Sequence, residues 1–279
     1  MSLHVFLAVI FAAALHAGWN ATLKLRTDRA SAVVLLSIMQ AVIALPLLAF
    51  VQQPAQQAWA WIAGAAALHS GYKLMLIRAY AHADLTQAYP VARGTAPLIV
   101  AAFSYVALSE SLSLTGTLAV GLISAGILLI ALAGGRQARM QPRGLMFALA
   151  TAGFTASYTL FDATGARVAG TASGFILWMV IGDALLMCCY ALFTRGAATL
   201  AAMRPALVSG TAAGAMSLGS YWIAVWAFTQ APVALVASLR ETSILFAVAI
   251  GVAFLGERLT PSRVAAAMLI VAGMILLRL

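Results

Sequence analysis

Apolar residues run along this chain in stretches of about twenty, broken by short clusters of Gly, Pro, Gln and charge. Runs of that length are too long for strands, and each predicts a helix able to cross a bilayer core. Ten spans follow: 3 to 24, 31 to 51, 57 to 82, 85 to 108, 115 to 133, 143 to 168, 171 to 194, 205 to 229, 232 to 255 and 261 to 279. The connections are short. The most polar of them, Gly134-Gly135-Arg136-Gln137-Ala138-Arg139-Met140-Gln141-Pro142-Arg143, falls at mid-chain and reads as a hinge between units 1–138 and 139–279.

The second unit repeats the first. Leu108-Ser109-Glu110-Ser111-Leu112-Ser113 corresponds to Leu255-Gly256-Glu257-Arg258-Leu259-Thr260, and Ser124-Ala125-Gly126-Ile127-Leu128-Leu129 to Val271-Ala272-Gly273-Met274-Ile275-Leu276, both at a shift of 147. Arg29-Ala30-Ser31 matches Gly170-Thr171-Ala172-Ser173 less closely at a shift near 142, so a few residues are inserted between the two anchors. Five spans per unit is an odd number, which turns the units upside down relative to each other. Inverted repeats place a binding site near the midplane, where rocking of the halves can open it to either side.

Composition removes the alternatives. With 64% hydrophobic and 8% charged residues, most of the surface cannot face water. The formal charge of +9 would suggest nucleic acid in a soluble protein, but the basic residues lie mostly between apolar runs, where the membrane explains them and no nucleic-acid partner is expected. Cys188 and Cys189 are adjacent within an apolar run, which suits neither an ordinary disulfide nor metal ligation. The start of the chain lacks the basic region of a cleaved signal peptide, so the first run reads as a retained helix. His4, His16, His69 and His82 are scattered, and neither a phosphate-binding loop nor a nucleophile elbow occurs, so no cofactor, metal, ATP-driven cycle or enzyme activity is expected.

Lys24, Arg26, Arg29, Arg136, Arg139, Arg143, Arg195, Arg204, Arg258 and Arg263 flank odd-numbered connections, whereas Arg167 and Arg278 flank the other side. The positive-inside rule then puts odd connections in the cytoplasm and both termini outside. Lys73 and Arg78 lie toward the basic end of the third span and are expected to snorkel there.

The repeated segment Leu108-Ser109-Glu110-Ser111-Leu112 and Leu255-Gly256-Glu257-Arg258-Leu259-Thr260 resembles the Gly-Glu-Arg-Leu-Thr motif of EamA domains in the drug/metabolite transporter superfamily. His16-Ala17-Gly18-Trp19-Asn20 is similar to the first-helix Trp-Asn region of that family. The resemblance covers the whole chain as two five-helix units and implies an all-α integral membrane protein, a ten-helix secondary transporter with a central cavity. In the first copy Ser109 and Ser111 replace the Gly and Arg of the motif. Many such relatives resemble the opposite orientation, with both termini inside.

Arg93 and Arg240 each lie about eight residues into the fourth and ninth spans, so in inverted halves they reach similar depth from opposite faces. Buried guanidinium groups need partners or water, and two roles stand open: recognition of a substrate anion, or ion pairing between helices. Glu241 is either the neutralising partner of an arginine or a proton-coupling group, and Asp162 is a second coupling candidate. At the shift of 142, Asp162 corresponds to Asn20 and Tyr158 to His16; each pair is spaced i, i+4 and can line one surface. His16 can equally make an interhelical hydrogen bond. Asp183 needs an internal partner that the sequence does not name. Trp19, Tyr72, Tyr89, Tyr158, Trp178, Tyr221, Trp222 and Trp226 are the aromatic candidates for a cavity wall, Tyr72 and Tyr221 at roughly matching places, while Trp59 and Trp61 suit the lipid interface. Gly210-Thr211-Ala212-Ala213-Gly214 suits close helix packing or a dimer seam, and leaves monomer or dimer unresolved.

The expected function is therefore movement of a small polar or amphipathic metabolite across a bacterial inner membrane, by alternating access and driven by protons, another ion or exchange. Arg93 and Arg240 with the aromatics would hold an anion or zwitterion. Glu241 or Asp162 with the aromatics would instead hold an organic cation, as in a drug exporter. An intramembrane lipid-modifying enzyme is the reading from another class.

Overall fold

The computed structural model describes residues 1–23, 29–82, 85–133, 141–255 and 259–278. The described residues form helices without strands: α1 Leu3–Leu23, α2 Arg29–Leu47, α3 Trp59–His82, α4 Leu85–Ala107, α5 Leu114–Ala133, α6 Pro142–Ala169, α7 Ala172–Arg195, the short α8 Ala198–Ala202, α9 Leu207–Phe228, α10 Val233–Arg240, α11 Ser243–Leu255 and α12 Pro261–Arg278. The polar hinge residues 134–140, Lys24, Arg26, Glu257 and Arg258 lie outside the described residues, as does the side chain of Tyr89.

Helix boundaries follow local chemistry. Gly170 takes a left-handed conformation, φ 68°, at the end of α6, and Thr171 then caps α7 by accepting from Gly174 N–H at 3.1 Å. Pro142 and Pro261 open α6 and α12, where a missing N–H costs nothing. The ninth span is expected as one helix but is interrupted. Glu241, Thr242, Ile244 and Leu245 N–H groups bond three residues back, tightening the chain between α10 and α11 beside Arg240 and Glu241. Such a break at membrane depth is tolerated only against protein or a polar cavity.

Six stretches are each long and apolar enough to cross a membrane: Leu3–Thr22, Ala30–Phe50, Pro142–Ala169, Ala172–Arg195, Val233–Phe254 and Pro261–Arg278. Val91–Ala107 and Leu114–Ile130 are shorter apolar helices. Helices α3 and α9 instead carry much of the polar lining described below. Phe103, Val106, Phe193, Val208 and Phe254 are exposed on the outer surface, where lipid replaces water as solvent.

Packing shows the internal repeat. Helix α5 lies against α12, α2 against α7, and the pairs α3–α6 and α1–α9 exchange between the units. At the α5–α12 seam, a Cβ on Gly126 would sit 2.7 Å from the Ile270 side chain and 2.8 Å from Ala266 O. A Cβ on Gly273 would sit 2.6 Å from Ile123 and 2.9 Å from Ala119 O. Every residue in the first set has its partner in the second at the shift of 147, so the seam is self-complementary. Gly210 and Gly214 pack on Leu35 and Met39 of α2, which assigns this small-residue face to a contact within the chain.

Candidate functional site

Six long helices, α1, α2, α3, α6, α7 and α9, with Arg93 of α4 and Arg240 of α10, enclose a cavity of about 70 Å³. Its polar wall includes His16, Gln40, His69, Lys73, Asp183 and Ser217, and its aromatic wall Trp19, Tyr72, Tyr158 and Tyr221. The two pseudo-equivalent arginines are therefore brought together at one cavity.

Arg93 is 4% exposed and Glu241 5%. Arg93 Nε lies 2.9 Å from Glu241 Oε2 but off the N–H axis, so the two form a close ion pair rather than an aligned hydrogen bond. Arg93 Nη2 also lies 2.8 Å from His16 Nε2. A guanidinium only donates, so that nitrogen of His16 is the acceptor, and the Trp19 indole meets the same ring edge-on with centroids 5.0 Å apart.

Arg240 differs. Its guanidinium carbon stands 4.7 Å over the Tyr221 ring, a cation–π contact, and among the described residues it has neither a hydrogen bond nor a carboxylate within ion-pair distance. The Tyr221 hydroxyl in turn donates to Asp162 Oδ2. His69 Nε2 reaches the same oxygen at 2.8 Å, while Asp162 Oδ1 has no hydrogen-bond partner among the described residues. His69 stacks on Tyr158 with centroids 4.0 Å apart, and Tyr72 meets Tyr158 edge-on at 5.6 Å.

The partner of Asp183 is Lys73. Lys73 Nζ donates to Asp183 Oδ2 and, at 2.7 Å, to Ser37 Oγ, and Ser70 Oγ donates to Asp183 Oδ1 at 2.9 Å. The snorkelling expected of Lys73 is thus corrected: a buried carboxylate on α7, packed directly against α3, holds its ammonium inside, whereas Arg78 is exposed. His69 and Lys73 were the residues that sequence reasoning missed. Their i, i+4 spacing on one face of α3 was the available signal.

Several candidates lie elsewhere. Asn20 is spent on its own helix, donating to His16 O at 2.9 Å, and Trp222 donates to Ser173 Oγ at 3.0 Å; neither lines the cavity. Trp178 stands at the end of the bundle on Trp59, donating to Gln53 Oε1 at 2.8 Å, and Trp226 packs near His4. Asp162 and Glu241 sit behind the wall, so Asp183 is the one carboxylate residue among the lining residues, against Lys73, Arg93 and Arg240.

The repeated motif has a structural task of its own. Glu110 Oε1 accepts from Arg167 Nη2 at 2.8 Å, and Oε2 accepts from the Val233 N–H that opens α10, also at 2.8 Å. Arg167 donates at 2.8 Å to Phe228 O as well, so one carboxylate of the first unit binds the ends of α6, α9 and α10 in the second. Ser109 beside it has φ 53°, the left-handed turn that explains why the motif prefers Gly there.

Helices of this length and outer apolarity around a cationic cavity define a multi-pass membrane protein. A family model described as the EamA-like transporter family matches residues 3–132 and again 142–279, and the chain belongs to that family. The fold is shared with a protein of known crystal structure at a TM-score of 0.76, with 99% of this chain and 98% of that one covered at 18% identity. No curated protein matches the chain.

Proposed function

We propose that the protein is a secondary transporter of a small organic anion, polar or amphipathic, bound between its two inverted five-helix units and carried by alternating access. One observation supports the choice of anion: Arg240 is 7% exposed, borders the cavity and has no carboxylate within ion-pair distance among the described residues, the neighbouring Glu241 being held by Arg93. A buried guanidinium without a counter-ion is costly, and a substrate carboxylate or phosphate would satisfy it through two parallel N–H donors. Of the carboxylates that could hold an organic cation, Glu241 is paired with Arg93, Asp183 on the wall is paired with Lys73, and Asp162, which accepts from Tyr221 and meets His69 through Oδ2, does not line the cavity. Tyr72, Tyr158, Tyr221 and Trp19 suit the apolar part of an amphipathic substrate. The charge bias of the connections supports a bacterial inner-membrane protein with the odd-numbered connections in the cytoplasm.

A thermal-shift screen of amino acids, organic anions and quaternary amines on the purified protein tests this, because a ligand that binds the folded state raises its stability. Organic anions should raise the midpoint, and Arg240→Lys should weaken that response about tenfold, since an ammonium lacks the planar fork. Stabilisation by quaternary amines with no response to anions would overturn the reading in favour of a cation exporter.

A further inference from the structure

The anion reading leaves Lys73 and Asp183 without a task, although both border the cavity. The repeat supplies an internal control for what the fold needs at that place. The crossing of α3 with α7 corresponds to the crossing of α9 with α2. There Gln40 Nε2 donates to Ser217 Oγ at 3.1 Å. Ser217 matches Ser70 and Ser220 matches Lys73 at the shift of 147, and Gln40 lies one residue from the position matching Asp183 at the shift of 142 that relates α2 to α7. A neutral hydrogen bond therefore holds one copy of the crossing and an ion pair the other. A buried ion pair gives little stability over a well-packed neutral replacement, so the charges at α3–α7 call for a reason other than folding.

We infer, on the basis of the anion reading, that Lys73 and Asp183 form a proton-coupling centre. An anion entering the cavity draws the Lys73 ammonium, on its flexible four-carbon stem, away from Asp183. The Nζ–H contact to Asp183 Oδ2 breaks and an Nζ–H contact to the anion forms. Oδ2 then binds one proton from solvent, so each anion loads together with one proton, a monovalent anion as a neutral pair, and no electrons move. The other titratable or charged groups around Asp183 are His69 and Tyr72 on α3, Cys188 on α7, Tyr158 and Asp162 on α6, Tyr221 on α9, His16 on α1, and Arg93 and Arg240. His69 and Tyr221 are committed to Asp162, and His16 to Arg93. Asp183 is thus the carboxylate on the wall whose counter-ion is itself positioned to meet a substrate.

The test is calorimetric titration of the purified full-length protein with benzoate, succinate and inorganic phosphate in turn, each in buffers of different ionisation enthalpy. Binding to the wild type should take up about one proton per anion beyond any taken up by the anion itself. Asp183→Asn should abolish the uptake. The double variant Lys73→Ser with Asp183→Gln copies the neutral crossing, so it should fold, bind anion about tenfold more weakly and take up no proton. A merely structural pair would leave the proton count unchanged. Anion binding by the wild type without proton uptake, or uptake that survives in the double variant, overturns the coupling while leaving the anion reading intact. No binding of any of the three anions overturns the anion reading, and the coupling with it.

Discussion

Replacing Glu241 by Gln removes the carboxylate 2.9 Å from Arg93 in a place where both side chains are nearly excluded from solvent. Two unit charges about 4 Å apart attract by about 4 kcal/mol at an effective dielectric of 20, and stranding one partner of a buried pair costs about 3–5 kcal/mol. Glu241→Gln should therefore destabilise the fold by about 3–5 kcal/mol. Arg93→Gln should do the same, because it strands Glu241. The double variant Arg93→Gln/Glu241→Gln strands no charge and should lose only about 1–2 kcal/mol, leaving a coupling energy of about 4–9 kcal/mol. Equilibrium unfolding of the four proteins in mixed detergent micelles, titrated with a denaturing detergent, measures the cycle. The same samples carry a second readout: benzoate should stabilise Glu241→Gln more than the wild type, since an added carboxylate replaces the missing one beside Arg93. A coupling energy below about 0.5 kcal/mol would refute the assignment of Arg93 and Glu241 as a pair, because independent sites add within that margin.

Ser109→Gly should raise stability by about 1 kcal/mol, measured as a shift in unfolding midpoint, because the left-handed turn at φ 53° strains any residue with a Cβ. Glu110→Ala should lower it by about 1–2 kcal/mol, the sum of a half-exposed ion pair to Arg167 and the lost cap on Val233; an unchanged midpoint would show that the carboxylate does not join the helix ends. A cysteine introduced at Gln137, in a background lacking Cys188 and Cys189, should resist an impermeant thiol reagent added to intact cells, and efficient labelling from outside would reverse the orientation argued from charge.

The helices, their approximate bounds and the division into two similar units are legible in the sequence because lipid imposes local rules. A bilayer of fixed thickness demands about 20 apolar residues per crossing, and a backbone that must satisfy its own hydrogen bonds leaves the helix as the way to supply them. The motif around Glu110 and the equivalence of Arg93 and Arg240, which both border the cavity, are likewise readable from spacing alone. The partners are not. Lys73 and Asp183 are 110 residues apart, and His69 and Asp162 are 93 apart, so no periodicity links them. Which face of each helix turns inward depends on the rotation and register set by close packing, as where Gly126 and Gly273 let α5 and α12 approach. That rotation directs Trp222 to Ser173 and Asn20 to its own backbone while bringing His69 and Lys73 to the cavity. The sequence placed the polar residues at membrane depth, and only the packing decided which of them meet, because in an apolar solvent each buried polar group must find its counterpart on whichever neighbouring helix the steric fit presents.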